Sequence, residues 1–404
     1  MACVDSSHAS RRILPRPPVR RLSRRHLVLA GAGHAQLDLL AALSHGVPDG
    51  WDVTLVTPQP AFHYSGMLPA VIAGLEPASA AEIPVGAIAR AAGISVAVDA
   101  VAALDARSRS LTLRGGRTIG YDILSLDVGS VPAGLDVPGV PAHAHPVRPF
   151  VQALALMARI DERIRETTHG AALAMTVVGG GAAGVEIAFA IRARVMRAGR
   201  LPRITIVDAG AGGGLPLPGF ATAARERAAL ALSHRGISVR AARVLRVHPG
   251  SIEVDVDGRE ETLATCATAW VTGPAAHPWL GASGLPCDAG GYPLASRTLQ
   301  LDGDGTAWGG GDCVTLRDAG RTARAGVYAV RMAPVLAANV LATMRGDTAR
   351  VHFAPQPDFL ALLSTGDGCA LLRWHGVALE SRWAQRLKTR IDTSYLQRYR
   401  ALPT

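Results

Sequence analysis

The stretch that decides the fold runs from Thr176 to Glu186 and reads TVVGGGAAGVE. Two β-branched residues predict the end of a strand, and the apolar residues from Val185 to Ile191 predict a helix after the glycines. The spacing Gly179-x-Gly181-x-x-Gly184 is typical of a turn that binds a dinucleotide, because the glycines permit a tight turn, close approach of a pyrophosphate and close packing of helix on strand. We therefore predict that phosphates bind at the N-terminus of this helix.

The strand that follows supports this interpretation. Ile204–Val207 ends at Asp208, about where an acid binds the ribose 2′-hydroxyl. The loop after Asp208 contains alanines and glycines and has no basic side chain for a 2′-phosphate. The sequence therefore favours NADH over NADPH, while a glycine-rich surface turn before a core helix is the alternative to the motif itself.

A second and weaker unit of the same kind lies near the start of the chain. The apolar run His26–Ala30 leads into Gly31 and Gly33, and Leu37–Leu43 continues as a predicted helix. Gln36 stands where the third glycine belongs, so this motif alone is degraded. Two strand–glycine–helix units nevertheless predict two nucleotide-binding domains in one α/β chain.

Other predicted strands end in small residues that let a backbone approach a bound cofactor. Tyr121–Ser130 and Ala267–Gly273 both have this design, although an ordinary β-turn would explain either segment alone. The strand Val53–Val56 ends instead at Thr57, so the first unit lacks the acid that the second unit has.

The formal charge of +10 is concentrated at the two ends of the chain. Residues 1–25 contain seven arginines and one acid, and residues 371–404 contain seven basic residues and two acids. The body between them is close to neutral, which argues against a nucleic-acid groove through the core. The first 23 residues have no hydrophobic periodicity and are predicted to be a disordered basic arm.

The five cysteines are too scattered for a metal clip or a disulfide framework, so we predict no metal and a cytoplasmic protein. Arg24 and Arg25 before an apolar run mimic an export signal, but Gln36 and Asp38 soon interrupt that run. We also find no uninterrupted apolar stretch long enough to predict a transmembrane helix.

Taken together, these motifs resemble the flavoproteins with two dinucleotide-binding domains, the pyridine nucleotide-disulfide oxidoreductase superfamily, over residues 26 to 345. The resemblance implies that the first glycine turn binds the FAD pyrophosphate and the second binds NAD(P)H, and that Gly311-Asp312 contacts the flavin ribityl chain. Val101, at the end of the run from Ile94, would offer its backbone to the adenine, unless it is an ordinary strand residue. The cofactor-binding residues implied for FAD are Gly31, Gly33, His34, Ala35, Thr57, Met67, Leu68, Pro69, Val101, Val128, Gly129, Gly311, Asp312 and Val327, and those for NADH are Gly179, Gly181, Gly184, Asp208 and Gly273.

A closer resemblance is to the type II NADH dehydrogenase-like branch, and within it to the flavoprotein module found fused to selenide, water dikinase. The segments that carry it are Phe62–Pro69, Tyr121–Ser130, 326–331 and 359–367. It implies that Glu186 is catalytic and faces the nicotinamide and the flavin; an acid at a helix start that meets the helix dipole is the alternative. Met67-Leu68-Pro69 would line the isoalloxazine, or be plain core packing.

The predicted fold is α/β, with two Rossmann-like dinucleotide-binding domains and a short C-terminal α+β region. Leu379–Tyr399 is predicted to be an amphipathic basic helix that lies on an anionic membrane surface, on the FAD domain or on a second subunit. The predicted divisions are a disordered arm at 1–23, an FAD-binding domain formed by 24–150 and 275–345, an NAD-binding domain at 151–274 and a C-terminal region at 346–404.

The predicted function is an FAD-dependent NADH oxidoreductase that passes electrons to an unidentified acceptor, a quinone or a small molecule. No cysteine lies between Cys3 and Cys266, so the paired cysteines of the disulfide reductases are missing and no redox-active disulfide is expected. The competing prediction is a flavin-bearing redox-sensing or partner-binding protein with incidental turnover. The sequence leaves the oligomeric state and the peripheral membrane contact open.

Overall fold

The structure, a computed structural model, describes residues 24–168, 170–301, 306–317 and 324–404. The predicted arm at 1–23 lies outside these residues. Two five-stranded parallel sheets form the body of the molecule, and smaller antiparallel sheets are attached to them. The predicted α/β fold class is confirmed.

The first sheet consists of buried strands from distant parts of the chain. Its strands are almost continuously apolar because helices and loops cover both faces; Val28 and Leu29, for example, are fully buried. The helix Leu37–Leu43 connects the two central strands, and all four pairings are parallel. In spatial order the strands are Ala307–Gly309, Ile123–Leu126, Arg25–Ala30, Trp51–Thr57 and Ser95–Val98.

The second sheet repeats this architecture around the second glycine turn. In spatial order its strands are Ala144–Pro146, Ala267–Trp270, Ala172–Val178, Leu201–Val207 and Ile237–Arg240. The longer helices of this part are Phe150–Glu166, Ala182–Arg197 and Thr222–His234. The strand Ala144–Pro146 precedes the predicted domain boundary at residue 150, and the predicted divisions of the chain stay predictions.

The remaining elements of the two large parts are short. Two antiparallel sheets consist of Val101–Asp105, Ser110–Leu113 and Thr118–Gly120, and of Arg243–Val247, Ser251–Val256 and Arg259–Ala264. Two-residue strands pair Phe62–His63 with Glu82–Ile83, Val131–Pro132 with Pro274–Ala275, and Leu294–Ala295 with Thr315–Leu316. The short α-helices are Leu68–Ile72, Val85–Ala91, Val140–His143 and Pro278–Gly281.

The prediction for Val101 needs a correction. Val101 does not end the strand that begins near Ile94; that strand ends at Val98, and Val101 begins the first strand of an antiparallel sheet. The apolar pattern continues across the break because both strands bury side chains. Asp99 forms the turn between them, and its carboxylate accepts the N–H groups of Ala100 and Gly115.

A long apolar helix, Gly326–Arg345, packs against the first sheet. Among the described residues it is the one helix whose length and composition would suffice to cross a membrane. Leu336 and Val340 are fully buried in the protein core, which accounts for its apolar character. The helix continues through Pro334 and ends at Gly346 in the left-handed conformation.

The C-terminal region is an antiparallel sheet, Ala361–Ser364, Ala370–Trp374 and Val377–Ser381, followed by the helix Arg382–Arg400. We call this last element the C-terminal helix. It begins at Arg382 and not at Leu379, because Leu379 belongs to the last strand and the Ser381 hydroxyl caps the helix by accepting the N–H of Ala384 at 3.1 Å.

The buried face of the C-terminal helix also differs from the apolar stripe that the four-residue spacing predicts, which consists of Trp383, Leu387, Ile391, Tyr395 and Tyr399. Trp383 is 51% exposed and Ile391 is 43% exposed, whereas Lys388 and Asp392 are buried. Polar partners in both large parts of the molecule, described below, compensate these charged side chains. The helix therefore packs through a polar face on the predicted FAD domain, which was one of the alternatives left open, and it also contacts Glu186 in the predicted NAD-binding domain.

Candidate functional site

The carboxyl ends of neighbouring parallel strands form one edge of the first sheet. Ala30 pairs with Leu126, and Leu126 pairs with Gly309, so the residues after these three strands are neighbours. Thr57 ends the next strand at the same edge. This edge brings together the predicted residues Gly31, Gly33, His34, Ala35, Thr57, Val128, Gly129, Gly311 and Asp312.

The first glycine turn is packed too tightly for side chains. Gly31 has a φ of +92°, and a Cβ there would lie 2.1 Å from the carbonyl oxygen of Asp127. A Cβ on Gly33 would lie 2.5 Å from the Asp127 carboxylate. Both glycines are therefore required by the fold of the turn.

Gln36 replaces the third glycine through its own hydrogen bonds. Its amide nitrogen donates to the carbonyl oxygens of Gly31 at 3.0 Å and Ser125 at 3.3 Å, and its amide oxygen accepts from the Ser125 hydroxyl at 2.5 Å. Gln36 is 1% exposed. The substitution that weakened the motif in the sequence thus ties the turn to the adjacent strand.

Asp127, which follows the strand Ile123–Leu126, contacts this turn and was not singled out from the sequence. Its carboxylate accepts the N–H of Gln36 at 3.0 Å and also that of Ala35. Burial is the main cause that raises the pKa of Asp127 to about 8; the nearby Asp312 acts in the same direction, and the N–H groups of Ala35 and Gln36 oppose both. An acid at the end of an otherwise apolar strand was the signal that could have identified it.

The far side of the first edge is open and polar. A Cβ on Gly129 would meet no atom within 4 Å, and the buried hydroxyl of Ser130 has no hydrogen-bond partner in the part of the chain that the structure describes. Asp312 lies 3.8 Å from Arg148, and burial raises the pKa of its carboxyl. An open backbone beside the Ser130 hydroxyl and the Asp312 carboxyl fits the phosphate and ribityl parts of FAD.

Aromatic side chains lie next to the turn. The ring nitrogen Nδ1 of His34 is 2.7 Å from the Tyr395 hydroxyl, and Phe62 and Tyr64 contact the His34 ring edge-on. Burial lowers the pKa of His34 to about 4, so the imidazole is neutral at pH 7. His34 therefore orients groups within the site without contributing a charge.

The predicted isoalloxazine wall lies between the two large parts. Met67 packs against the hydrophobic cores of both sheets, and Leu68 and Pro69 are buried at the start of the helix Leu68–Ile72. Val327 lies in the first turn of the helix Gly326–Arg345, and a Cβ on Gly326 would be 3.8 Å from His34. These positions agree with the prediction and do not test a contact with flavin.

The second glycine turn has the geometry of a dinucleotide cradle. A Cβ on Gly179 would lie 2.3 Å from the carbonyl oxygen of Val271, and one on Gly184 would lie 1.8 Å from the carbonyl oxygen of Gly179. Gly181 and Gly273, by contrast, face open space. Two glycines are required for packing, and two leave room for a ligand.

Asp208 is tied directly to this turn. One carboxylate oxygen accepts the N–H of Gly180 at 2.7 Å, and the other accepts the N–H of Gly210 at 2.8 Å. These bonds fix the carboxylate at the carboxyl end of the strand Leu201–Val207, beside the turn. The position is the one that a ribose-binding acid requires.

Glu186 lies at the junction of the second sheet with the C-terminal region. Its carboxylate accepts the N–H of Ser364 at 2.8 Å and lies 3.7 Å from the ammonium group of Lys388. Burial raises the pKa of Glu186, whereas Lys388 lowers it to a smaller extent. Glu186 is thus more than a helix-start charge, and its catalytic role stays a prediction.

Lys388 connects Glu186 with residues beside the predicted FAD site. Its ammonium group donates to Asp392 at 3.0 Å and to the carbonyl oxygen of Gly66 at 3.0 Å, and Asp392 accepts from the Tyr64 hydroxyl at 2.8 Å. Burial alone would lower the pKa of Lys388, but Glu186 and Asp392 outweigh it and raise the pKa. We call Glu186, Lys388, Asp392 and Tyr64 the buried charge cluster.

Of the buried charge cluster, only Glu186 was predicted from the sequence. Lys388 is the only lysine of the chain, and Asp392 follows it at the i,i+4 spacing of a helical ion pair, which was the available signal. The four cysteines within the described ranges are free. Searched over the same ranges, the structure contains no group of three His, Cys, Asp or Glu side chains that could hold a metal ion.

Comparison with known proteins agrees with this geometry. The family model for pyridine nucleotide-disulphide oxidoreductases matches residues 25–333. The external alternative NAD(P)H-ubiquinone oxidoreductase B4, mitochondrial, of Arabidopsis thaliana is 27% identical over 187 residues, which cover 42% of this chain and 31% of that protein. An NADH dehydrogenase-like protein of Mycobacterium tuberculosis (strain CDC 1551 / Oshkosh) is 28% identical over 203 residues, covering 48% of this chain and 49% of that protein.

The fold likeness extends over nearly the whole chain. The structure of NDH2 from Plasmodium falciparum in complex with NADH superposes with a TM-score of 0.76 at 14% identity, covering 93% of this chain and 99% of that chain. The matched segments span about a third and a half of the two curated relatives, so their complete activities do not transfer directly. On the family match and the two glycine cradles, this chain belongs to the pyridine nucleotide-disulphide oxidoreductase family.

Proposed function

We propose that this chain is an FAD-dependent NADH oxidoreductase of the type II NADH dehydrogenase kind. FAD occupies the first glycine turn and NADH the second, and electrons pass to a quinone or a small molecule without a redox-active disulfide. The observation that carries the proposal is the pair of parallel sheets, each with a glycine turn at the carboxyl edge and with open backbone at Gly129, Gly181 and Gly273.

FAD, when bound, supplies the hydride and electron chemistry. The protein binds and orients: Gly181 and Gly273 leave room for the dinucleotide, and Asp208 accepts hydrogen bonds from the ribose. The buried charge cluster keeps a proton on the Nζ atom of Lys388, between Glu186 and the carbonyl oxygen of Gly66. Met67 excludes water where the two cores meet.

Anaerobic mixing of the purified yellow protein with NADH tests the function. We expect the absorbance of oxidised flavin at about 450 nm to bleach within seconds, followed by reoxidation with a quinone or another acceptor from a screen. Slow bleaching, together with no acceptor that reoxidises the flavin faster than oxygen does, would favour the redox-sensing alternative. Protein without flavin absorbance would contradict both.

Asp208 makes NADH the preferred donor. Its carboxylate repels a 2′-phosphate, so NADPH should give a kcat/KM at least about tenfold lower than NADH, which corresponds to about 1.4 kcal/mol. Asp208→Asn should narrow this ratio, mainly by raising kcat/KM for NADPH. If the ratio of kcat/KM for NADH to that for NADPH is unchanged in the variant, Asp208 does not determine the preference for NADH.

For localisation, we propose a cytoplasmic protein with peripheral contact at the inner face of the membrane. The solvent face of the C-terminal helix supports this, because Arg386 and Arg390 lie beside the exposed Trp383 and Ile391. Flotation with anionic vesicles should retain the protein, and neutral vesicles or the double variant Arg386→Glu/Arg390→Glu should not. Equal recovery with both vesicle types would contradict electrostatic attachment.

We also propose a functional kinship with the flavoprotein module fused to selenide, water dikinase. The segment Phe62–Pro69 supports it, since this segment supplies both Tyr64 of the buried charge cluster and the predicted isoalloxazine wall. Adding selenium and sulfur compounds to the acceptor screen tests the link. Turnover with quinones alone would count against it.

A further inference from the structure

The carboxylate of Asp127 lies at the first glycine turn, where the proposed function puts the FAD pyrophosphate. It accepts the backbone N–H groups of Ala35 and Gln36 at the first glycine turn. It also lies between two glycines, because Cβ atoms on Gly33 and on Gly311 would each come within 2.5 Å of it. The turn therefore already holds one acidic group of the chain itself.

A phosphate and an ionised carboxylate cannot share such a turn at low cost. Asp127 is 2% exposed, so water does not screen the repulsion between the two anions. A protonated carboxyl has no such conflict, because it loses its charge and gains an O–H donor. Its second oxygen can still accept the two backbone N–H groups.

We propose that Asp127 is a positioning residue of the flavin site that stays protonated while FAD is bound and donates its O–H to the FAD pyrophosphate. This inference rests on the proposed function, since it requires FAD in the first turn. It assigns to Asp127 the role of a neutral side-chain donor that adds to the backbone N–H groups of the glycine turn.

Burial and the titratable groups that face Asp127 favour the protonated form and outweigh the N–H groups of Ala35 and Gln36, which favour the ionised form. Asp312 and Cys313 approach from the turn after the strand Ala307–Gly309, and Tyr395 approaches from the C-terminal helix. Burial raises the pKa of both the Cys313 thiol and the Tyr395 hydroxyl, so these two groups stay neutral at pH 7. Asp312 adds a like charge, and the pKa of Asp127 is about 8.

The sign of the pH dependence follows directly. Below pH 8 the carboxyl already carries its proton, so FAD binds without proton uptake. Above pH 8 each binding event must take up one proton, and the affinity falls as the pH rises. With a pKa of about 8, linkage gives a loss of FAD affinity of about thirtyfold between pH 7 and pH 9.5.

Equilibrium binding of FAD to the flavin-depleted full chain, followed by FAD fluorescence across this pH range, tests the proposal. Wild type should show the loss, whereas Asp127→Asn, whose amide donates at every pH, should change by less than about twofold. Asp122→Asn is the matched control, since Asp122 is exposed beside the same strand and accepts the N–H of His26 at 2.6 Å. This control should follow wild type.

Three results would overturn the inference: a flat profile for wild type, the same slope in Asp127→Asn, or loss of the slope in Asp122→Asn. If Asp127→Asn does not fold, ¹³C-carboxyl NMR of aspartate-labelled wild type replaces it, and the absence of any aspartate that titrates above pH 7 overturns the inference. If FAD binds equally at every pH and no aspartate titrates above pH 7, the inference fails but the proposed function is unaffected. Failure to bind FAD at any pH contradicts the proposed function itself.

Discussion

At the scale of single residues, the most informative side chain is the ammonium group of Lys388. It lies between Glu186, Asp392 and the carbonyl oxygen of Gly66, and its side chain is 10% exposed. Removing a buried charge leaves its partners uncompensated, which costs more than the ion pair itself contributes. Lys388 therefore stabilises the contact between the C-terminal helix and both large sheets.

We expect Lys388→Met to lower the free energy of unfolding by about 3 kcal/mol at pH 7.5, measured by urea denaturation. The raised pKa of Glu186 rises further without the ammonium group, so the variant takes up a proton as the pH falls. The difference from wild type should therefore shrink between pH 7.5 and pH 5.

The control for this prediction is Arg390→Met, because Arg390 lies on the exposed face of the same helix. It should change the free energy of unfolding by no more than about 0.5 kcal/mol. A pH-independent loss in Lys388→Met, or an equal loss in Arg390→Met, would contradict the electrostatic explanation.

Residue identity predicted only part of the site. Gly179, Gly184 and Asp208 were predictable because their functions are local: a turn, a close packing contact and a strand end. Lys388 and Tyr64 were not, because Tyr64 contacts Asp392 across 328 positions of the chain and Lys388 contacts Gly66 across 322, and no local pattern records such contacts. The position of Asp127 likewise depends on a glycine turn from a different strand.

At the scale of elements, different glycines of the second turn serve folding and ligand binding. Gly184 contacts the backbone of Gly179 and is needed for the helix to pack on its strand, whereas Gly181 faces open space. The two glycines belong to one motif, but an added methyl group should have different effects at the two positions.

We expect Gly184→Ala to destabilise the protein by more than about 2 kcal/mol, because a Cβ would lie 1.8 Å from the carbonyl oxygen of Gly179. Gly181→Ala should leave the thermal midpoint unchanged and weaken NADH binding at least about tenfold, since the methyl group occupies space that the dinucleotide needs. Differential scanning fluorimetry and NADH titration measure the two effects. Equal loss of stability in both variants would show that Gly181 is a packing residue.

The periodicity of the C-terminal helix was misleading at this scale. Trp383, Leu387, Ile391, Tyr395 and Tyr399 follow a four-residue spacing, and such a stripe drifts around a helix with 3.6 residues per turn. Only its last part, Tyr395 and Tyr399, reaches the protein interior. The buried face instead contains Lys388 and Asp392. A hydrophobic pattern in the sequence does not reveal the polar partners of these two residues.

At the scale of the whole molecule, the C-terminal region contacts both dinucleotide-binding parts. Tyr399 donates to Asp38 in the first part at 2.7 Å, and Arg235 in the second part pairs with Asp367 at 2.8 Å and with Glu380. These contacts fix one large part relative to the other. The relative position of the two predicted cofactors therefore depends on the C-terminal region.

We expect Arg235→Ala to lower the free energy of unfolding by about 2–3 kcal/mol, because Asp367 and Glu380 lose their partner at a site where the arginine is 11% exposed. Hydrogen exchange should also increase in the strands of residues 361–381. Arg240→Ala is the control, since its pair with Glu261 is about 35–41% exposed, and it should cost less than about 1 kcal/mol. Unchanged exchange in Arg235→Ala would mean that the pair does not tie the parts together.

The overall fold was predictable because strand, glycine turn and helix are adjacent in sequence and occur twice. The C-terminal antiparallel sheet was covered only by a general α+β prediction. Its strands are short, and the residues that fix it, Arg235 and Glu186, belong to the second sheet's part of the chain. Long-range polar contacts of this kind leave no periodic pattern.

The amide of Gln36 has one further consequence, which concerns reverting the motif to its standard form. Gln36→Gly would create a complete three-glycine motif. It would also remove a hydrogen-bond donor from the carbonyl oxygens of Gly31 and Ser125 and leave a cavity beside the turn. We expect chemical denaturation to show a loss of about 2–4 kcal/mol, against about 1 kcal/mol for Gln152→Gly at an exposed helical position. A sequence closer to the standard motif should thus give a less stable protein, because the neighbouring carbonyl oxygens depend on the side chain of Gln36.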